Sequence, residues 1–316
     1  MMKEIYPRIA LAKLCGWFGI SRQAYYQKSW YETDKSLEEH LIIQQVLEIR
    51  KKHRRMGGRK LYEKLYPFML EHQIKMGRDA LFNLLAANNL LIKRRKRRIQ
   101  TTWSSHWLRK YPNLIKEFTP IGINQLWVSD ITYWKTDFAP LYISFITDVF
   151  SHKIVGYHVS DSLSTEGSLK ALRKAFSACE GAESLSQLVH HSDRGVQYCS
   201  SAYVELLKKH NIRISMTENG DPLENAVAER VNGIIKEEYL NEYQVGSMGE
   251  AEELLEAVIH LYNDDRPHMS IGNLTPNHVL CKNLKTKKLW KNYWNKNKNI
   301  VNPIQDKKKT VNLLQD

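Results

Sequence analysis

Residues 125–160 hold three β-rich runs in close succession, LWVSDITYW, LYISFITDVF and KIVGYHVSD. The intervals between them, 137–140 and 151–153, are as short as hairpin connections. Three strands joined this way lie side by side and antiparallel. STEGSLKALRKAFSAC then carries a helical period, with Ser164 placed to cap it. QLVHHSD reads as a fourth strand, SAYVELLKKHN as a helix and IRISMT as a fifth strand. ENAVAERVNGIIKEEYL and MGEAEELLEAVIHLYNDD follow as helices. The pattern predicts an α/β core over 125–280, a mixed five-stranded sheet with helices on both faces.

What precedes the core is all-α in period. In residues 1–36, IALAKLCGWFGISRQAYYQ fits two short helices parted at Gly16 and Gly19, with Ser21 capping the second. That is the outline of a helix-turn-helix, and equally of a plain helical hairpin. Residues 37–100 read as a further helical segment. LEEHLIIQQVLEIR is followed by a turn at Gly57 and Gly58, a helix from about Arg59, and the helix MGRDALFNLLAANNLL. The segment ends in six consecutive cations, Lys93, Arg94, Arg95, Lys96, Arg97 and Arg98. Their mutual repulsion keeps them out of any core, so they are phosphate contacts or a solvated tail. Residues 101–124, with Trp103, His106, Trp107 and Pro112, show no period and read as a linker. The Lys/Asn-rich residues 281–316 read as a basic tail.

Charge divides the chain the same way. Lys and Arg outnumber Asp and Glu by 25 to 10 over residues 1–118 and by 10 to 2 over 279–316. Over 119–278 the acids lead by 22 to 12. A polyanion is drawn to the flanks and repelled by the middle unless cations bind there. No apolar run reaches the roughly 18 residues of a spanning helix, and no secretory leader precedes the chain, which suggests the cytosol. The four cysteines form no CxxC pair, which argues against structural disulfides and a four-cysteine zinc site.

Three acids stand out within the acidic middle. Asp130 and Asp193 each end an apolar run and are placed at the ends of the first and fourth strands, and Glu229 sits in a helical pattern with thirty-five residues between it and Asp193. If the first and fourth strands are adjacent and parallel, Asp130 and Asp193 meet at one sheet edge. The helix carrying Glu229 then crosses that edge. Three carboxylates in one place repel one another unless a cation neutralises them. Hard, oxygen-seeking Mg²⁺ or Mn²⁺ suits such a set. Two such ions, ~3.5–4 Å apart, serve the attacking and leaving sides of a phosphodiester. Asp148 is a fourth acid at a strand end and reads as structural. Lys236, seven residues after Glu229, falls on the same helical face and is a candidate to hold a phosphate. His191, Ser192 and Asp193 are neighbours in one strand and cannot converge as a nucleophilic triad. His190, His191 and Cys199 lack zinc-like spacing. Asn263, Arg266 and His268 read as DNA contacts or as braces of the core, bracing being favoured, with Arg266 paired to an acid. Gly195 and Gln197 read as shaping the loop after the fourth strand, with positioning of DNA as a second reading.

WVSDITYW, HHSDRGVQY, ENAVAERVNGIIKEE and YNDDRPHMSIGNLTP resemble the integrase-type core of bacterial insertion-sequence transposases, in particular the B-frame product of the IS-three group. The resemblance covers the core and the helical stretch from GGRKLYEKL to NNLLIKRRKRR, which it implies is a DNA-binding segment. It implies a ribonuclease-H-like fold and a catalytic triad on Asp130, Asp193 and Glu229. The implied activity is metal-dependent cleavage at the element's ends and joining of the freed 3′-hydroxyl to another phosphodiester. The implied partners are end and target DNA, further copies of the chain assembled on DNA, and an upstream A-frame product to which such chains are commonly fused. The setting is the bacterial cytosol, on the nucleoid when DNA is bound. The family's usual Asp-Asn-Ala is here Glu224-Asn225-Ala226, which leaves the role of position 224 open. Two other functions fit the same residues: a ribonuclease-H-like nuclease that only hydrolyses, and a DNA-binding remnant without chemistry.

Overall fold

A computed structural model describes residues 7–92, 106–116, 118–179, 185–218 and 225–282. The cationic run Lys93–Arg98, Glu224 and nearly all of the basic tail lie outside them.

The sheet grows from β1 (Leu126–Lys135). β2 (Pro140–Asp148) and β3 (Ile154–Ser160) follow as antiparallel neighbours. Helix α5 (Thr165–Ser177) then crosses over, so that β4 (Val189–Ser192) pairs parallel to the other side of β1. A short helix α6 (Val196–Cys199) and helix α7 (Ser201–Lys209) lead to β5 (Arg213–Met216), parallel to β4. The strand order is β3-β2-β1-β4-β5, a mixed five-stranded sheet as expected from sequence. β1 is central, as the hydrophobic runs require, because a strand buried on both faces needs apolar side chains on both.

Alternation along β1 sorts its side chains between two cores. Trp127 and Ile131 join Leu172, Phe176, Tyr203 and Leu207 on the side covered by α5 and α7. Trp134 joins Val231, Ile235, Leu255 and Tyr262 on the opposite side. That side is covered by α8 (Ala226–Ile234) and α9 (Met248–His260). Each of these helices runs on into a π-helical turn, Ile235–Tyr239 after α8 and Leu261–Asp265 after α9. Helix α10 (Pro276–Lys282) closes the described core.

Asp148 is buried at the end of β2 and accepts from the N–H groups of Asn124 and Ser151 and from the Ser151 hydroxyl, at 2.6–2.9 Å. It ties a turn, as expected from sequence. Asn263 brackets Ile154 of β3 with its side-chain amide, at 3.0 and 3.1 Å.

The N-terminal part differs from its sequence reading in one respect. Helix α1 (Leu11–Trp17) is followed by α2, which runs unbroken from Arg22 to Lys52 over 31 residues. The expected boundary at 36/37 lies inside it. Ser21 does cap α2, accepting from the Ala24 N–H at 3.0 Å, but the chain from there to residue 52 holds no glycine or proline to stop the helix. Helices α3 (Gly58–Glu71) and α4 (Arg78–Ala87) pack on α2 through Ile42, Val46, Leu61, Leu65, Leu81 and Leu85.

Polar contacts join this unit to the π-turns. His53 bonds the Tyr239 hydroxyl at 2.9 Å and the Asp265 carboxylate at 2.7 Å. Lys64 also pairs with Asp265, and Lys60 reaches Glu238 at 2.9 Å. Arg266 is fully buried and grips Glu238 with two bonds of 2.7 and 2.8 Å. Burial pushes the Glu238 carboxyl up, but Arg266 and Lys60 more than offset it and hold it at about 2.

At Gly156 of β3 a Cβ would lie 2.2 Å from the Ala171 carbonyl oxygen and 2.8 Å from the Ala175 Cβ. The missing side chain lets α5 lie directly on the strand. Gly156→Ala is therefore expected to lower stability by about 1–3 kcal/mol through overpacking. Gly249→Ala, in a helix with open space around it, is expected to raise stability by about 0.5–1 kcal/mol. Urea unfolding midpoints of the two variants check both signs.

Candidate active site

The parallel ladder between β1 and β4 ends at Ser129 opposite Ser192. The next residues on the two strands are Asp130 and Asp193, so register alone sets them side by side. β1 itself does not stop there. It continues to Lys135 because β2 goes on pairing with it, Asp130 opposite Phe145. The expectation that Asp130 ends its strand is thus corrected: it stands mid-strand, at the point where one of two neighbours leaves.

Alternation also fixes the face. Val128 and Val189 cluster with Ala228 of α8, so Asp130 and Asp193, two and four residues further on, face the same helix. Glu229 and Asn232 are on that helix. Asn232 donates its side-chain N–H to Asp130 Oδ2 at 2.7 Å. Asp130 Oδ1 accepts the backbone N–H of Ile131 at 2.9 Å. Asn225, at the N-cap of α8, donates to the Ser129 carbonyl at 3.1 Å. Asp193 Oδ1 is held by the Gly195 N–H at 2.9 Å. Both aspartates are thereby oriented by fixed donors, whereas Glu229 is exposed in the first turn of α8.

The neighbouring acids bear on Asp130. Asp130 is pushed up to about 8, first by burial and then by the charges of Asp193 and Glu229, against the two hydrogen bonds it accepts. The charges of Asp193 and of Glu229 both reach Asp130. Among the described residues no group of three such side chains is closed up enough to hold an ion alone. The donor set is nevertheless of the right kind. Hard oxygens meet at a half-buried sheet edge where a cation would relieve repulsion, and the buried Oδ1 atoms of Asn225 and Asn232 have no hydrogen-bond partner.

Other sequence candidates are placed plainly. Lys236 is the second residue of the π-turn, half-buried, with Glu237 as the charge that bears on it. The even helical step behind the seven-residue spacing ends just before it. His190 is buried between the Ser129 and Tyr203 hydroxyls at 2.7 and 3.0 Å and is held neutral, down to about 3, by burial. His191 bonds Ser215 at 2.8 Å. Both are core residues on the sheet. Gln197 donates to the Leu163 carbonyl at 2.8 Å and so shapes the loop. Asn225 and Asn232 escaped the sequence reading. The signal was there, since Asn232 lies one helical turn past Glu229, but an amide has no chemistry of its own to mark it.

The family described as Integrase core domain matches residues 122–222, and a second family of the same description matches 210–276. An insertion element IS600 uncharacterized 31 kDa protein of Shigella sonnei is 33% identical over 265 residues, spanning 83% of this chain and 96% of that protein. The transposase for insertion sequence element IS629, also of Shigella sonnei, is 30% identical over 285 residues, spanning 87% and 93%. Among solved structures, the HTLV-2 integrase catalytic core domain in complex with magnesium aligns with a TM-score of 0.39 at 18% identity, over 50% of this chain and 97% of that one.

Asp130 gives a pH signature. Folded, its carboxyl keeps its proton up to about pH 8; unfolded, it ionises near pH 4. Between those values the folded state binds the extra proton. The stability it contributes is therefore complete below about pH 4 and is lost as pH rises to about 8. In metal-free buffer, Asp130→Asn should flatten the fall in urea midpoint over this window. An unchanged slope would show that Asp130 does not titrate there.

Proposed function

The chain belongs to the insertion-sequence transposases built on an integrase core domain, and on that footing we propose that Asp130, Asp193 and Glu229 are the carboxylates at which it cuts and joins DNA. The observation that carries the assignment is the register of β1 against β4, which sets Asp130 beside Asp193 under the helix that bears Glu229. The chain is a DNA transposase, a polynucleotidyl transferase.

Mg²⁺ or Mn²⁺, two ions in the working complex, suits these oxygens. Magnesium is usually held by one or two carboxylates plus waters and substrate phosphates. A preformed three-acid cage is therefore not required before DNA arrives. When bound, such ions activate the attacking hydroxyl and stabilise the leaving oxygen in an in-line displacement.

The protein's own part is positioning. Asn232 and the Ile131 N–H fix the two oxygens of Asp130 in orientation. The Gly195 N–H fixes Asp193. Glu229, on the exposed first turn of α8, closes the set from the DNA side. No side chain here needs to act as nucleophile, because water attacks in cleavage and the freed 3′-hydroxyl attacks in joining.

The rest of the chain presents the substrate. The helical segment 37–100 with Lys93–Arg98 is assigned to binding the element ends, and Lys236 to a phosphate near the acids. Two ends must be held together for transposition, so the working form is a multimer on DNA, with an upstream A-frame product as a further partner. Among the described residues no helix is long and apolar enough to cross a membrane.

The assignment predicts that Asp193→Asn abolishes both cleavage and joining of element-end DNA while leaving end binding intact. Chelation of divalent metal should do the same, and Mg²⁺ should restore the wild type alone. Joining by the Asn variant in Mg²⁺ would sink the assignment.

A further inference from the structure

Residues 106–116 do not dangle between domains. The ribbon is pinned at its head by His106 Nε2, bonded to the carbonyl of Arg194, the residue after Asp193, at 2.7 Å. Further along it follows β5. The Met216 N–H reaches the Pro112 carbonyl at 3.3 Å, and the Leu114 N–H reaches the Ser215 hydroxyl at 2.9 Å. Leu108 and Tyr111 pack into the core under α5 and α7.

Burial alternates along this ribbon. His106 and Leu108 turn inward, while Trp107, Arg109 and Lys110 turn outward. Trp107 is 92% exposed, between two neighbours that are anchored. An indole held out in water this way loses the burial that a tryptophan normally brings. The cations beside it supply charge complementarity to a nucleic-acid backbone. Arg109 lies over the Tyr111 ring at 5.3 Å, and Lys110 and Arg194 both lie close enough to act on the Cys199 thiol, just past the Asp193 loop.

We propose that Trp107 is a stacking platform for an unpaired nucleobase of the DNA strand at the active site, with Arg109 and Lys110 holding the adjoining phosphates. A paired base offers the indole only its edge, whereas an unpaired one offers its face, and stacking is tolerant of sequence. A strand whose 3′-hydroxyl turns from one phosphodiester to another separates from its complement at the terminal nucleotide. The ribbon holds Trp107 one residue from the tether to the Asp193 loop, where such a nucleotide would emerge. This rests on the active-site assignment above.

The test uses the full chain with fluorescent oligothymidine and with blunt duplex of equal length. Trp107→Ala should weaken oligothymidine binding by about tenfold or more and leave duplex binding nearly unchanged. Trp107→Phe should retain most of the affinity. The double variant Arg109→Gln with Lys110→Gln should weaken both ligands and lower the salt slope by about two phosphate contacts. A 2-aminopurine at the 3′ terminus of an overhang should be quenched by wild type and not by Trp107→Ala. Full single-strand affinity and full quenching in Trp107→Ala would overturn the proposal. So would a change in sedimentation without a change in binding, which would make the face a contact between copies. Asp193→Asn separates the two conclusions. If it still joins strands, the active-site assignment falls; if it is dead while Trp107→Ala binds normally, the stacking platform alone falls.

Discussion

A carboxylate folded into the middle of a sheet is an expensive thing to keep, and the geometry of this core follows from keeping one. Asp130 is half-buried, and desolvation is the largest influence on it. The protein answers with two donors, a backbone N–H and the Asn232 amide, and then adds to the cost by bringing two further acids near. Such an arrangement costs stability once the acids ionise. A hard cation among these oxygens would relieve that cost. The apolar clusters on either side hold β1 and α8 close enough that the acids cannot drift apart.

The second organising interaction lies on the far side of α8. The π-turn after α8 carries Glu238 and Tyr239, and the π-turn after α9 carries Asp265, with Arg266 just beyond. These groups meet His53, Lys60 and Lys64 of the N-terminal unit. Inserted residues in a helix are commonly tolerated at functional sites. Here they turn charged side chains toward a neighbouring unit that α-helical spacing would direct elsewhere. The helix bearing Glu229 is consequently continuous with the surface on which the N-terminal unit sits.

Much of the core was legible because its period is simple. Alternation over LWVSDITYW, short hairpin intervals and the apolar run before Asp193 suffice to give the strands and the mixed sheet, whereas the pairing of β1 with β4 entered only as a condition. Arg266 as a buried partner of an acid was legible too, since an arginine in a predicted core needs one. The extent of β1 was not, because a strand's end depends on which neighbour stops pairing. Nor were the π-turns, which cost one residue of phase and leave no mark in composition. The long α2 hid behind Gly16 and Gly19, whose break falls before the helix and not within it. The ribbon 106–116 looked like a linker because its order comes from bonds to β5 and the Asp193 loop, all of them distant in sequence. The amides of Asn225 and Asn232 act only through Ser129 and Asp130, and a sequence shows no such pairing.

Helix α2 has one more implication. At 31 residues it measures roughly 46 Å from end to end, at about 1.5 Å per residue. One end is fastened beside the π-turns by His53, and the other carries α1 with its outward Trp17 and Phe18. An unbroken helix cannot shorten without losing its hydrogen bonds, so α2 keeps the outward aromatic pair at one end a set distance from the charged contacts at the other.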